Sequence, residues 1–174
     1  ILYLWRKDER WDWLARAGAE IGIIFTTLTL ITGSLWGRPI WGTWWTWDPR
    51  LTTTLILWFI YIGYLLVRTY MGRTASAARA AAVVGILGFV DVPINYLSTT
   101  WWRTQHPSLM VTTNNAGHLT GPALFAMFIA LAAFTLLFGF LLLQVYRLER
   151  LQTAALRLRA RVEADSDLDE RYDV

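Results

Sequence analysis

The sequence has no cysteine. This excludes disulfides and thiolate metal sites, and it removes cysteine as a guide to redox compartment. Charge is also scarce: 17% of the 174 residues are charged against 55% apolar. A soluble domain of this size needs more charged surface, so the composition points to a membrane protein. Histidine is nearly missing. His106 and His118 are the two in the chain, and neither lies in an apolar run. That excludes a redox centre ligated by histidine between membrane spans, at least for the residues present. No methionine and no signal-peptide pattern opens the chain. It begins Ile1-Leu2-Tyr3-Leu4-Trp5, which reads as the tail of an apolar span. The expectation is an N-terminally incomplete protein.

What is abundant is aromatic and aliphatic. There are eleven Trp, seven Tyr and eight Phe. A helical span of the bilayer takes about 20 apolar residues. Three segments meet that: residues 17–35, residues 51–67 with an extension to 71, and residues 122–146. A fourth, residues 80–97, is interrupted by Asp91, Pro93 and Asn95. With the stub at residues 1–5, the expected fold is all-α: a polytopic transmembrane helix bundle holding about five of six helices. Its expected membrane domain covers residues 1–147, and a tail covers 148–174.

An alternating path through these spans sorts the cations. One side receives Arg6, Lys7, Arg10, Arg16, Arg68, Arg73, Arg79, Arg147, Arg150, Arg157, Arg159 and Arg161, whereas the other receives Arg38, Arg50 and Arg103. The positive-inside rule then makes the basic side cytoplasmic. Residues 36–50 and 98–121 become outward loops, periplasmic in a bacterium. The tail starts with Leu148, Leu151, Ala155 and Leu158 at helical spacing. It turns acidic at Glu163-Ala164-Asp165-Ser166-Asp167. A short cytoplasmic helix with a solvated, disordered end is expected, with a docking surface for a cytoplasmic partner as the alternative.

The first outward loop is the richest stretch. Trp36, Trp41, Trp44, Trp45 and Trp47 fall within twelve positions, and Trp101 and Trp102 lie in the second loop. An interfacial aromatic belt is the plain reading. Belts form at both faces, however, and the cytoplasmic side has only Trp5, Trp11 and Trp13. Gly37 and Gly42 would let the backbone turn between the rings. The functional reading is a flat apolar platform for a planar ligand. Each ring buries roughly 150–250 Å², so a few rings at about 25 cal/mol/Å² offer roughly 10 kcal/mol gross. Association costs roughly 4–15 kcal/mol. Such a platform holds a ligand weakly, and a directional bond decides the affinity.

Asp48-Pro49 is an N-cap followed by a favoured first helical residue, so the second span starts there. That helix end also suits anionic groups. Arg50, together with Arg38 or Arg103, is placed either for ligand carboxylates or for lipid headgroups. His106 sits beside Trp101, Trp102 and Arg103 near the end of a span, where a neutral imidazole could ligate an iron held on the Trp loop. His118 precedes Thr120-Gly121-Pro122, a helix start, and is expected to be solvated. Asp91 costs roughly 2.5–3.5 kcal/mol at a span centre. It is expected either to make a buried polar contact or to serve ligand passage, with a kink at Pro93.

The stretch Trp41-Gly42-Thr43-Trp44-Trp45-Thr46-Trp47-Asp48-Pro49-Arg50-Leu51-Thr52 resembles the WWD signature of haem-handling proteins. Val92-Pro93-Ile94 and Trp101-Trp102-Arg103-Thr104-Gln105-His106 narrow the resemblance to the CcmC family of cytochrome c biogenesis proteins. It extends from about Trp11 to Tyr146. The resemblance implies six transmembrane helices in a bacterial inner membrane. It implies haem b held transiently on the outer loop by Trp41, Gly42, Trp44, Trp45, Trp47, Asp48, Arg50, Trp101, Trp102 and Arg103. His106 matches the second family ligand, and the first belongs upstream of Ile1. Implied partners are the chaperone CcmE, the ABC subunits CcmA and CcmB, and CcmD, besides the lipid bilayer. No nucleic acid and no bond-making chemistry are implied. Two alternatives stand beside this. A haem-attaching synthase of the CcsA type would have a longer chain, more His and a large outer domain. A glycan or lipid carrier would need acidic pairs near the platform.

Overall fold

The structure, a computed structural model, describes residues 2–106 and 121–172, with side chains described up to residue 165. His118 and the loop around it lie outside the described residues. Among the described residues five helices follow in order: α1 Leu2–Arg6, α2 Glu9–Trp41, α3 Pro49–Tyr70, α4 Ala75–Trp101 and α5 Gly121–Tyr172. The last four are long and apolar enough to cross a membrane. The chain is an all-α, polytopic membrane protein.

Local chemistry sets the boundaries. Lys7 takes a left-handed φ of 53° and breaks α1 from α2. Asp8 then caps α2 by accepting from the Arg10 N–H at 2.9 Å. Thr26, Thr27, Thr29, Thr32 and Ser34 return their hydroxyls to carbonyls four residues back. This lets polar side chains sit in a span without an unmet donor. Gly42 ends α2 with φ 75°, and its N–H reaches the Arg38 carbonyl at 3.0 Å. Thr74 caps α4 through the Ala77 N–H.

α3 and α4 pack most closely, and α2 meets both α3 and α5. Small residues make the close approaches: Ala17 and Ala19 on α2, and Ala77, Ala78, Ala81 and Gly88 on α4 are buried. Between helices in a membrane, small residues let backbones approach and van der Waals contact drives association. Ala19, Tyr64 and Ala81 form the shared centre. Trp58 Nε1 donates to Thr27 Oγ1 at 2.8 Å and ties α3 to α2. Phe25 on α2 meets Phe134 and Phe138 on α5, with centroids 6.3 and 6.2 Å away.

Gly88 shows how tight the α3–α4 seam is. A Cβ there would sit 2.8 Å from Tyr61 Cε2. Gly88→Ala is therefore expected to displace the Tyr61 ring and destabilise the bundle by about 1–3 kcal/mol. A thermal melt of the detergent-purified protein measures this, and an unchanged midpoint would contradict the packing.

Four expectations change. The helices run further than their apolar cores, so Trp36 and Trp41 belong to the end of α2 and Trp101 to the end of α4. Gly37 is helical rather than a turn. Its role is space, because the Trp41 ring lies back over it with Cε3 at 3.3 Å from a Gly37 Cβ position. The acidic end is helical through Tyr172. Nothing there breaks a helix, since residues 140–172 contain no Gly or Pro. Finally, Asp91 is buried, but among the described residues its Oδ2 has no hydrogen-bond partner. The polar tie lies one turn further on. Asn95 Nδ2 reaches the Arg50 carbonyl at 3.1 Å, Thr53 Oγ1 at 2.8 Å and Thr54 Oγ1 at 2.7 Å. Pro93 stays inside a continuous α4.

Candidate functional site

The C-terminal end of α2, the N-terminal end of α3 and the C-terminal end of α4 meet at one end of the bundle. Residues 42–48 join α2 to α3 there, and residues 102–106 leave α4. Arg38 fastens the first segment. Its guanidinium donates to the Gly42 carbonyl and lies 5.8 Å from the Trp44 ring centroid. Thr43 Oγ1 donates to the Trp45 carbonyl at 3.0 Å, a short local turn.

Asp48 is the hub. It caps α3 as expected, its Oδ1 accepting from the Arg50 N–H at 3.0 Å. The same Oδ1 lies 2.9 Å from His106 Nδ1. Its Oδ2 accepts from Thr104 Oγ1 at 2.5 Å and from the Gln105 N–H at 2.8 Å. An ionised carboxylate is acceptor-only and has room for four such donors. The network therefore places the proton of the His106 ring on Nδ1. Burial would raise the Asp48 pKa, but the donors Thr104, Gln105 and Arg50 and the attraction of His106 outweigh it and leave it below the usual 3.8. The Asp48 side chain is 3% exposed and that of His106 18%.

The imidazole packs edge-on against Trp41, with centroids 4.8 Å apart and planes at 67°. Trp41 in turn meets Trp36 at 5.3 Å. Trp45 and Trp47 form a second edge-on pair at 5.8 Å, and Trp101 and Trp102 a third at 5.8 Å. Trp44, Trp47, Trp101 and Trp102 are exposed, while Trp41 and Trp45 are half-buried. Amphipathic rings of this kind, left open at one end of the bundle, can cover a flat apolar ligand.

The structure thus joins Trp41, Asp48 and His106 directly, across 58 residues of sequence in the case of the Asp–His contact. Gly42 shapes the loop, and Arg38 holds it. Arg50 contributes its N–H to Asp48 and its carbonyl to Asn95. Arg103 is exposed. The residues alone gave Asp48 a capping role and the resemblance added a haem-binding one, but neither pointed to its contact with His106 or to Thr104 and Gln105. The one signal for them was their position just before His106. Among the described residues no group of three His, Cys, Asp or Glu is placed to hold a bare metal ion. One imidazole beside aromatic faces suits an iron that brings its own equatorial ligands. With Nδ1 engaged by a carboxylate, Nε2 is the nitrogen left for such an iron. This is the usual carboxylate–histidine–metal order.

Comparison with known proteins gives the family. A family model described as "CcmC: Heme exporter protein C" matches residues 1–161. Heme exporter protein C of Bradyrhizobium diazoefficiens is 43% identical over 149 residues, which is 86% of this chain and 56% of that protein. The Haemophilus influenzae protein of the same name is 39% identical over 141 residues, 81% of this chain and 57% of that protein. The one from Paracoccus denitrificans is 33% identical over 162 residues, 91% of this chain and 67% of that protein. The chain spans a little over half the length of the first two of these relatives. The match over residues 1–161 and these identities show that the chain belongs to the CcmC, or heme exporter protein C, family.

Proposed function

We propose that this chain holds haem b transiently at the Trp-rich end of the bundle and presents it to a haem chaperone of the CcmE type. His106 supplies one axial nitrogen. Trp41 and the rings of Trp44, Trp45, Trp47, Trp101 and Trp102 face the porphyrin. Arg50 and Arg103 take its carboxylates, and Asp48 positions the imidazole. The loop faces the periplasm and the tail the cytoplasm of a bacterial inner membrane. CcmA, CcmB and CcmD complete the assembly, and the chain makes or breaks no covalent bond. The observation that carries this reading is the Asp48–His106 contact at 2.9 Å beside Trp41 at 4.8 Å. It supports a ligand set built for an iron rather than a solvated loop histidine.

Asp48→Asn tests it. An asparagine still caps the helix. Its amide nitrogen, however, meets two donors where the carboxylate met acceptable ones. Outer-shell changes of this kind typically cost about 10–100-fold in metal affinity. Haem titration by Soret absorbance is expected to show that loss with unchanged helicity. The haem-free protein should also lose a pH response. Asp48 has a depressed pKa, so its stabilising effect is present above the usual 3.8 and fades as pH falls through its lower folded value. Trp emission of the parent should change in that acidic window, and that of Asp48→Asn should not. Equal haem affinity in the two proteins would remove Asp48 from the site.

A further inference from the structure

α5 outlasts the membrane. Its 52 residues rise about 1.5 Å each, roughly 78 Å in all, against roughly 30 Å of hydrocarbon. Beyond Tyr146 one face is fastened to the bundle. Glu149 is buried between Arg16 Nε at 3.1 Å and Arg73 Nη1 at 2.9 Å. Arg73 also donates to Thr153 Oγ1 at 2.9 Å, and Arg157 pairs with Glu9 at 2.5 Å. The tail therefore leaves the membrane in a fixed direction.

The opposite face is free. Leu148, Leu151, Ala155, Leu158 and Val162 follow one another at steps of three and four, the a/d repeat of a two-stranded coiled coil. By helical rotation this stripe lies across the axis from Glu149, Thr153 and Ala160. Leu148, Leu151, Leu158 and Val162 are 53–68% exposed. Arg147 and Arg159 border the stripe, with Arg150 and Arg161 next to them. Between residues 150 and 162 there is no Asp or Glu.

We infer that this stripe is a docking surface for an acidic amphipathic helix of a partner protein on the basic side of the membrane. The charge decides the occupant. Two copies of this chain in one membrane would present their α5 helices in parallel. Basic flanks would then lie side by side, with no Asp or Glu among residues 150–162 to answer them, which opposes association. The membrane surface is excluded by direction, because α5 is one continuous helix with no Gly or Pro after Gly139 to turn it. A helix with leucine-like residues on its seam and Glu or Asp at its edges meets both the apolar stripe and the arginines.

The test uses the full chain in its native membrane, with a benzophenone amino acid placed at Leu151 or Leu158. Photolysis and mass spectrometry of the adducts then identify what lies against the stripe. Both positions are expected to cross-link to one segment of another protein, with heptad spacing and a surplus of acidic residues. The double variant Arg159→Glu with Arg161→Glu should cut the adduct at least about tenfold while circular dichroism shows α5 intact. Haem retention, read separately by Soret absorbance, should not change. Adducts to a second copy of this chain, to lipid alone or to a segment without acidic surplus would each overturn the inference. So would the lack of adduct at both positions, or an adduct indifferent to the charge reversal.

Discussion

Replacing Trp44, Trp45 and Trp47 together by alanine is expected to leave almost no haem on the purified protein. The three rings lie outside the helices, between the Gly42 cap and Asp48, so their removal spares both helix ends. Trp47 is 75% exposed and Trp44 55%, which is apolar surface standing free until something covers it. Truncating three such rings removes up to roughly 10 kcal/mol of gross apolar gain. That is of the same order as the roughly 4–15 kcal/mol that association costs. The binding balance should therefore fail rather than weaken. The measurement is Soret absorbance per unit protein after expression with haem supply. A second variant with phenylalanine at all three positions keeps much of the surface and should keep much of the haem. If the alanine variant carried parental haem, the rings would be nothing more than a membrane belt.

The same arithmetic explains what the sequence could and could not disclose. Spans were legible because about 20 apolar residues can hardly do anything else, and Asp48-Pro49 marked the start of α3 through local chemistry alone. Helix ends were less so. The Arg38–Gly42 contact and the space over Gly37 extend α2 through Trp41, and neither is visible as hydropathy. The tail's first part was legible from Leu148, Leu151, Ala155 and Leu158, but its acidic end was expected to be disordered from its charge, whereas α5 runs on through it with no Gly or Pro to stop it. The site was half legible. Trp density and His106 beside it pointed to the end of the bundle where Trp41, Asp48 and His106 come together. That Asp48 reaches Thr104, Gln105 and His106 is a long-range contact, and one sequence offers no signal for pairing residues so far apart. Asp91 and Asn95 make the same point in reverse. Both are polar residues in an apolar run, and only packing shows that Asn95 finds partners on α3.

His106→Ala is the more informative of the two large changes, because it separates the bond from the surface. The Trp rings stay, and Asp48 keeps the Arg50, Thr104 and Gln105 donors. The platform alone binds weakly by the balance above. Losing an axial nitrogen should therefore cost more than the roughly 10–100-fold typical of an outer-shell partner. The Soret band should weaken strongly, and the haem that remains should shift in wavelength as its ligand field changes. Added imidazole should restore both. The vacated volume beside Trp41 has the shape of the ring removed, and Asp48 Oδ1 is there to accept an N–H as it did from Nδ1. Rescue by imidazole, but not by an equally sized apolar ring, assigns the effect to coordination. If His106→Ala bound haem with parental affinity and an unchanged spectrum, the iron ligand would lie elsewhere, and the Asp48–His106 pair would be a clasp closing residues 102–106 onto the start of α3.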